Sequence, residues 1–131
     1  MLYMIFKKNS MDLSYNDGQD SIIHLEFNLN DVIKWAKQNN KRWVITDINA
    51  GCSYFNDSNK IEFLNTLNWS AINSKFWQKC KEEKQAEFLI EEQIPFKLIK
   101  RIGVFNKENY NKVKEKINKN IKIEICKDWY Y

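Results

Sequence analysis

The chain has a single proline, Pro95, and the stretch in front of it limits the fold more than any other. From Lys84 to Phe96 a charged helical run gives way to alternation. Ala86, Phe88 and Ile90 fall on one side of a strand, and Glu87, Leu89 and Glu91 on the other. Pro95 ends the element, because the residue before a proline prefers extended backbone. A short strand is expected here, with Glu87 at its start between apolar neighbours that point to the opposite face. Rigid backbone holds a carboxylate at such a position, as a catalytic or ligand-binding acid requires. On these residues alone, a solvated edge charge is the plainer reading of Glu87.

The rest of the chain alternates strand and helix signals. Three glycines leave most tight turns to Asn and Asp. Leu2–Lys7 is apolar on both faces and is expected as a covered strand. In Ile22–Phe27, residues Ile23, Leu25 and Phe27 share one face and Ile22, His24 and Glu26 the other. His24 reads as a half-buried strand residue. Asn30 is the expected N-cap of a helix from Asp31 to about Gln38, closed by Asn39 and Asn40. Trp43–Thr46 is a strand that runs into the polar turn Asp47–Gly51. Strand ends aim loop residues at clefts, so Asp47 and Asn49 are candidate site residues; the alternative is that they cap the next helix.

A short helix is expected near Lys60–Asn65. A longer one should cover Ala71–Glu83, capped by Asn68 or Ser70, with Ile72, Phe76 and Cys80 as its inner stripe. Lys81 and Lys84 lie on another side, where they could hold a phosphate or pair with Glu82 or Glu83 in water. One helical turn follows at Phe96–Ile99, then a strand at Arg101–Phe105 with Ile102 and Val104 inside. Asn106 should cap a helix to about Asn118 with Tyr110, Val113 and Ile117 as its stripe. Ile121, Ile123 and Ile125 alternate in a last strand, and Trp129–Tyr131 should pack back on the core. No repeat or linker divides the chain, so residues 1–131 are expected to form one α+β domain with a strongly bent sheet or two packed sheets.

Composition excludes several classes. Hydrophobic residues make up 44% and aromatic residues 15% of the 131, too apolar for a disordered chain. Cys52, Cys80 and Cys126 are far apart, and His24 is the one histidine, so no metal site is expected. Sparse, odd cysteines suit a reducing cytoplasm. No run of about eighteen apolar residues is present, and no membrane association is expected. Residues 1–96 hold 11 basic and 13 acidic side chains, while residues 97–131 hold 10 basic and 4 acidic, a net +6. That basic third reads as a lysine-rich solvated face, or else as a surface for nucleic acid or a phosphorylated ligand.

Several segments, taken in order, carry more than any of them alone. Met1-Leu2-Tyr3, Trp43–Ala50, Leu67–Ile72, Trp77, Lys84–Ile90, Ile102-Gly103-Val104 and Trp129-Tyr130-Tyr131 together resemble the DarT family of bacterial DNA ADP-ribosyltransferases, the toxins of DarT–DarG toxin–antitoxin systems. The resemblance implies an ADP-ribosyltransferase-like fold, a bent, split β-sheet with flanking helices. It implies NAD, or an NAD-derived nucleotide, as ligand and single-stranded DNA as a partner, with ADP-ribose transferred to thymine. The family's catalytic glutamate in Gln-Ala-Glu-Phe maps onto Glu87, which could bind the nicotinamide-ribose hydroxyl and stabilise the developing sugar cation. Lys81, six residues earlier, matches a basic position near the reacting centre. Lys84, Asp47, Asn49 and Tyr3 are further candidate nucleotide contacts, and Trp69, Trp77 and Arg101 candidate DNA contacts. Trp69 and Trp77 read first as anchors of their loop and second as stacking platforms for bases.

The family also carries a segment ahead of Met1-Leu2-Tyr3, with a histidine and an arginine that grip NAD. The expectation is therefore an N-terminally shortened member. It would bind or sequester an NAD-derived or ADP-ribose-type nucleotide without turnover, for instance as a phage counter-defence factor, and could dimerise to cover its first strand. The alternatives are an active DNA ADP-ribosyltransferase and a nucleic-acid or protein interaction module.

Overall fold

The computed structural model of the chain describes Ile5, Tyr15, residues 17–117 and residues 120–131, and the backbone alone of Trp77. In chain order its elements are β1 (His24–Phe27), α1 (Leu29–Gln38), β2 (Trp43–Thr46), β3 (Asp57–Ser58), α2 (Trp69–Ile72), β4 (Phe88–Ile90), β5 (Ile99–Val104), α3 (Lys107–Lys116) and β6 (Lys122–Ile125). Short 3-10 helices lie at Ile61–Thr66, Trp77–Lys79, Glu83–Gln85, Phe96–Leu98 and Lys127–Trp129. The strands form two separate three-stranded sheets, ordered β1-β5-β6 and β3-β2-β4, the split sheet of an α+β fold. The chain divides into two compact units, Met1–Asp31 with Pro95–Tyr131, and Val32–Ile94. Among the described residues no helix is long and apolar enough to cross a membrane.

In the first unit β5 lies between β1, antiparallel, and β6, parallel. Paired residues share a face of the sheet. Leu25, Ile102 and Ile123 therefore project to one side, and His24, Gly103 and Glu124 to the other. Helix α3 packs on β5 and β6. Its Tyr110, Val113 and the following Ile117 close a core with Ile99, Ile102 and Val104. Asn106 caps α3 as expected, its side-chain oxygen accepting the Asn109 N–H at 2.9 Å. The apolar side of β1 is its more open side, with Ile23 40% and Leu25 46% exposed. The opposite side is covered by the chain's end: Trp129 lies against Gly103, and the Tyr130 hydroxyl donates to Ile22 O at 2.6 Å.

In the second unit β2 is central and antiparallel to both neighbours, with Trp43 opposite Ile90 and Ile45 opposite both Phe88 and Ser58. Trp43 stacks on Phe88 with ring centroids 5.7 Å apart. Helix α1 buries Val32, Ile33 and Ala36. It ends at Asn39 and Asn40 as expected: Asn40 takes the left-handed φ of 52° while the Lys41 N–H returns to Ala36 O at 2.9 Å.

Two expectations are corrected. Asn28, not Asn30, caps α1, accepting the Asp31 N–H at 3.2 Å, because the helix begins two residues earlier, at Leu29. The helix expected over Ala71–Glu83 is broken. It stops at Ile72, and Ser74 Oγ takes the Phe76 N–H at 3.0 Å, a local bond that competes with the helical ladder. Phe76 is consequently 80% exposed while Cys80 stays buried. The Asn68 cap on the short helix α2 does form, on the Ala71 N–H at 3.2 Å. The strand expected at Leu2–Lys7 lies outside the described residues except for Ile5, which is buried with helical backbone.

Candidate functional site

Glu87 sits immediately before β4, and its backbone continues the pairing of β4 with β2. The Thr46 N–H donates to Glu87 O at 2.9 Å, and the Glu87 N–H donates to Thr46 Oγ1 at 3.1 Å. Thr46 is fully buried, and its hydroxyl donates onward to Ile48 O at 2.6 Å. Beyond Thr46 the chain turns sharply. Asn49 Oδ1 accepts the Gly51 N–H at 2.7 Å, and Asn49 O accepts the Cys52 N–H at 3.0 Å. A Cβ on Gly51 would lie 2.8 Å from Asn49 Oδ1, so a larger residue there would displace the Asn49 side chain. The turn delivers the Ala50 N–H to Glu87 Oε2 at 3.0 Å, and Asn49 Nδ2 reaches Gln85 Oε1 at 3.2 Å. Glu87 is half-buried, and among the described residues its other oxygen, Oε1, takes no hydrogen bond. Among the described residues this acid has one oxygen pinned by a backbone amide and one without a donor.

The other candidates in this unit frame that acid. Asp47 uses both carboxylate oxygens on Asn56, from the backbone N–H at 2.9 Å and the side-chain amide at 2.7 Å. The Asn56 side chain holds its carboxyl below the usual aspartate range. Asp47 is thus a pin between the β2 end and the approach to β3, not the helix cap it could have been. Lys84 Nζ donates to Ile72 O at 2.7 Å, satisfying a carbonyl at the C-terminus of α2, where a cation is favoured. Lys81 is exposed, and its carbonyl accepts from Gln85 Nε2 at 2.9 Å. Trp69 donates its indole N–H to Leu64 O at 2.7 Å, an anchor for the preceding 3-10 segment, and is 48% exposed. Tyr3 and the Trp77 side chain lie outside the described residues.

Arg101 belongs to the other unit. Its guanidinium is bonded to Glu26 and Glu124 and lies 4.8 Å over the Trp129 ring. The hydrogen bonds it donates to Glu124 and Glu26 push its pKa up. His24 is beside it on the same sheet face, edge-on to Trp129 at 5.8 Å and Tyr130 at 4.7 Å. Its Nε2 is buried and, among the described residues, takes no hydrogen bond, and burial lowers its pKa, so it is the half-buried strand residue expected. The structure therefore brings together Glu87, Asn49 and Asp47 around the end of β2, while Arg101, in the first unit, is engaged with Glu26 and Glu124. Sequence reasoning passed over Thr46 and the Ala50 amide. A threonine closing a buried strand just before an Asp-x-Asn turn was the available signal.

A split sheet with an acid at the head of one strand is here an ADP-ribosyltransferase fold, as superposition on solved structures shows. A family model described as "ssDNA thymidine ADP-ribosyltransferase, DarT" matches residues 1–131, and the chain belongs to the DarT family. It is 32% identical over 139 residues to a DNA ADP-ribosyl transferase of Thermus sp. (strain 2.9), covering 100% of this chain and 63% of that protein. With the DNA ADP-ribosyl transferase of Thermus aquaticus it shares 28% identity, over 98% of this chain and 58% of the other. Thermus sp. 2.9 DarT in complex with ADP-ribosylated ssDNA superposes with a TM-score of 0.86 at 28% identity, covering 99% of this chain and 63% of that one. The same protein in complex with NAD+ superposes with a TM-score of 0.84, over 99% and 66%. The chain thus spans less than two thirds of the length of these relatives.

Proposed function

We propose that this chain binds an NAD-type nucleotide, NAD itself or an ADP-ribose-like derivative, at the Glu87 site. The observation that carries the reading is the half-engaged carboxylate: Oε2 is tied to the Ala50 N–H, and Oε1 takes no hydrogen bond among the described residues. A ribose hydroxyl is a suitable donor for such an oxygen, and a hydrogen bond to a charged acceptor is among the stronger kinds. Thermus sp. 2.9 DarT in complex with NAD+ supports the choice of ligand. Asn49 and Lys81 are the proposed further contacts, with Tyr3, while Asp47 and Lys84 act through the backbone they hold. Bound NAD would supply a glycosidic bond to nicotinamide. Glu87 would orient the adjoining ribose and favour positive charge on it.

Calorimetry with NAD and with ADP-ribose tests the reading. Saturable binding to at least one nucleotide, weakened in Glu87→Ala, is expected. No heat with either ligand overturns it. A second reading, transfer of ADP-ribose to thymine in single-stranded DNA, is favoured by the solved complex of Thermus sp. 2.9 DarT with ADP-ribosylated ssDNA. Incubation with labelled NAD and thymine-containing single strands separates the two. Label on the DNA that disappears in Glu87→Ala supports transfer, and binding without label supports sequestration.

A further inference from the structure

Glu87 can present a chosen oxygen only if something fixes its side chain relative to the turn that donates to it. A glutamate has three side-chain rotors, and a turn such as Asp47–Gly51 has its own freedom at the surface. The structure links the two through one hydroxyl. Thr46 Oγ1 accepts the Glu87 N–H at 3.1 Å and donates to Ile48 O at 2.6 Å. Two residues beyond Ile48, the Ala50 N–H closes the ring on Glu87 Oε2 at 3.0 Å. The hydroxyl thus holds both the backbone of the acid and a carbonyl of the turn that pins the acid's side chain. It is fully buried, so water cannot take its place. A threonine hydroxyl has one hydrogen to donate and lone pairs to accept, and here both functions are used between these two segments.

We propose that Thr46 is the positioning residue of the Glu87 site. Through its hydroxyl, the Asp47–Gly51 turn sets which carboxylate oxygen faces the nucleotide. Thr46 does not touch the ligand. The inference rests on the nucleotide-binding reading of Glu87, and the test keeps the two apart.

The full chain is compared with Thr46→Val, Thr46→Ser and Glu87→Ala by NAD calorimetry and by the backbone amide resonance of Ala50. Valine keeps the shape of threonine and removes both hydrogen bonds, which strands the Glu87 N–H and the Ile48 carbonyl. Folded Thr46→Val should bind NAD about tenfold more weakly. Its Ala50 resonance should move toward the position it takes in Glu87→Ala. Thr46→Ser, which keeps the hydroxyl, should restore both affinity and resonance. In the wild type, saturating NAD should shift the Ala50 resonance, a readout that needs no variant to fold. The proposal is overturned if folded Thr46→Val binds NAD like wild type, if Thr46→Ser loses what Thr46→Val loses, or if Ala50 ignores NAD. If Glu87→Ala itself binds as wild type, the nucleotide site is wrong and the positioning role goes with it. If Glu87→Ala loses binding and Thr46→Val does not, only the positioning role fails.

Discussion

Gly103→Ala is the perturbation whose size the first unit makes most definite. Gly103 lies inside β5, opposite His24 on one side and Glu124 on the other. A Cβ built on it would stand 2.4 Å from Trp129 Cζ3, 2.5 Å from Cε3 and 3.4 Å from Cη2. Carbon atoms rest at about 3.5–4.0 Å, so the ring or the strand must give by about 1 Å or more. The ring has little freedom to do so. Arg101 lies 4.8 Å from its centroid, His24 meets it edge-on, and the residue's backbone is tied by the Trp129 main-chain N–H to Cys126 O at 3.1 Å. Overpacking of this kind costs about 1–3 kcal/mol. Replacing glycine by alanine in a strand returns about 0.5–1 kcal/mol by reducing the freedom of the unfolded chain. The net expectation is a loss of about 1–2 kcal/mol. The clash term alone depends on Trp129, so a double-mutant cycle isolates it. In a Trp129→Ala background, Gly103→Ala should become neutral or slightly stabilising. Urea unfolding followed by far-ultraviolet circular dichroism, which does not depend on the deleted indole, measures all four proteins. Equal stability changes in the two backgrounds would refute the contact as the cause.

Asp47→Asn should lower the melting temperature at neutral pH, because Asp47 is held below the ordinary aspartate value of 3.8 chiefly by the Asn56 side chain. A depressed folded pKa gives stability that is present above the unfolded value and lost as pH falls through the folded one. The gap between wild type and variant in a pH series of melts should therefore close below about pH 4. Burial pushes the Tyr130 phenol up to about 12. Its contribution should be intact below the ordinary value of 10.0 and vanish as pH rises toward 12, and an ultraviolet titration of Tyr130→Phe should lack a late-ionising tyrosine. Asn106→Ala should destabilise the first unit by about 1 kcal/mol through loss of the α3 cap, and Asn106→Asp should recover most of it, as denaturant midpoints would report.

Elements with strong local signals were legible. Trp43–Thr46 is β-branched and aromatic and forms β2 with the expected bounds. Asn106 and Asn68 cap the helices that follow them. The break in the expected Ala71–Glu83 helix has a local cause. Ile72, Phe76 and Cys80 have helical spacing, but spacing says nothing about the Ser74 hydroxyl that intercepts the Phe76 N–H. In β1 the alternation gave the two faces, and packing elsewhere decides how far each is covered. Helix α3 packs on β5 and β6, and the C-terminal aromatics cover the face of His24. Alternation defines two faces, and only tertiary packing decides which of them is shielded.

The site was legible in its acid and not in its frame. Asp47, Lys84 and Arg101 stood out because they are charged, and each is now seen to be bound by the protein itself: Asp47 by Asn56, Lys84 by the Ile72 carbonyl, Arg101 by Glu26 and Glu124. That is the general fate of charge near a folded surface, since a partly desolvated ion is costly unless it is paired. Charge in a sequence therefore points first to the scaffold. The more selective criterion is hydrogen-bonding capacity left over after the chain has satisfied itself. Glu87 meets it, with one oxygen fixed by an amide and the other unengaged among the described residues. The groups that create this condition, a buried threonine hydroxyl and a backbone N–H, carry no charge and leave almost no mark in the sequence. A search of this fold for functional acids should therefore start from the donors that pin them.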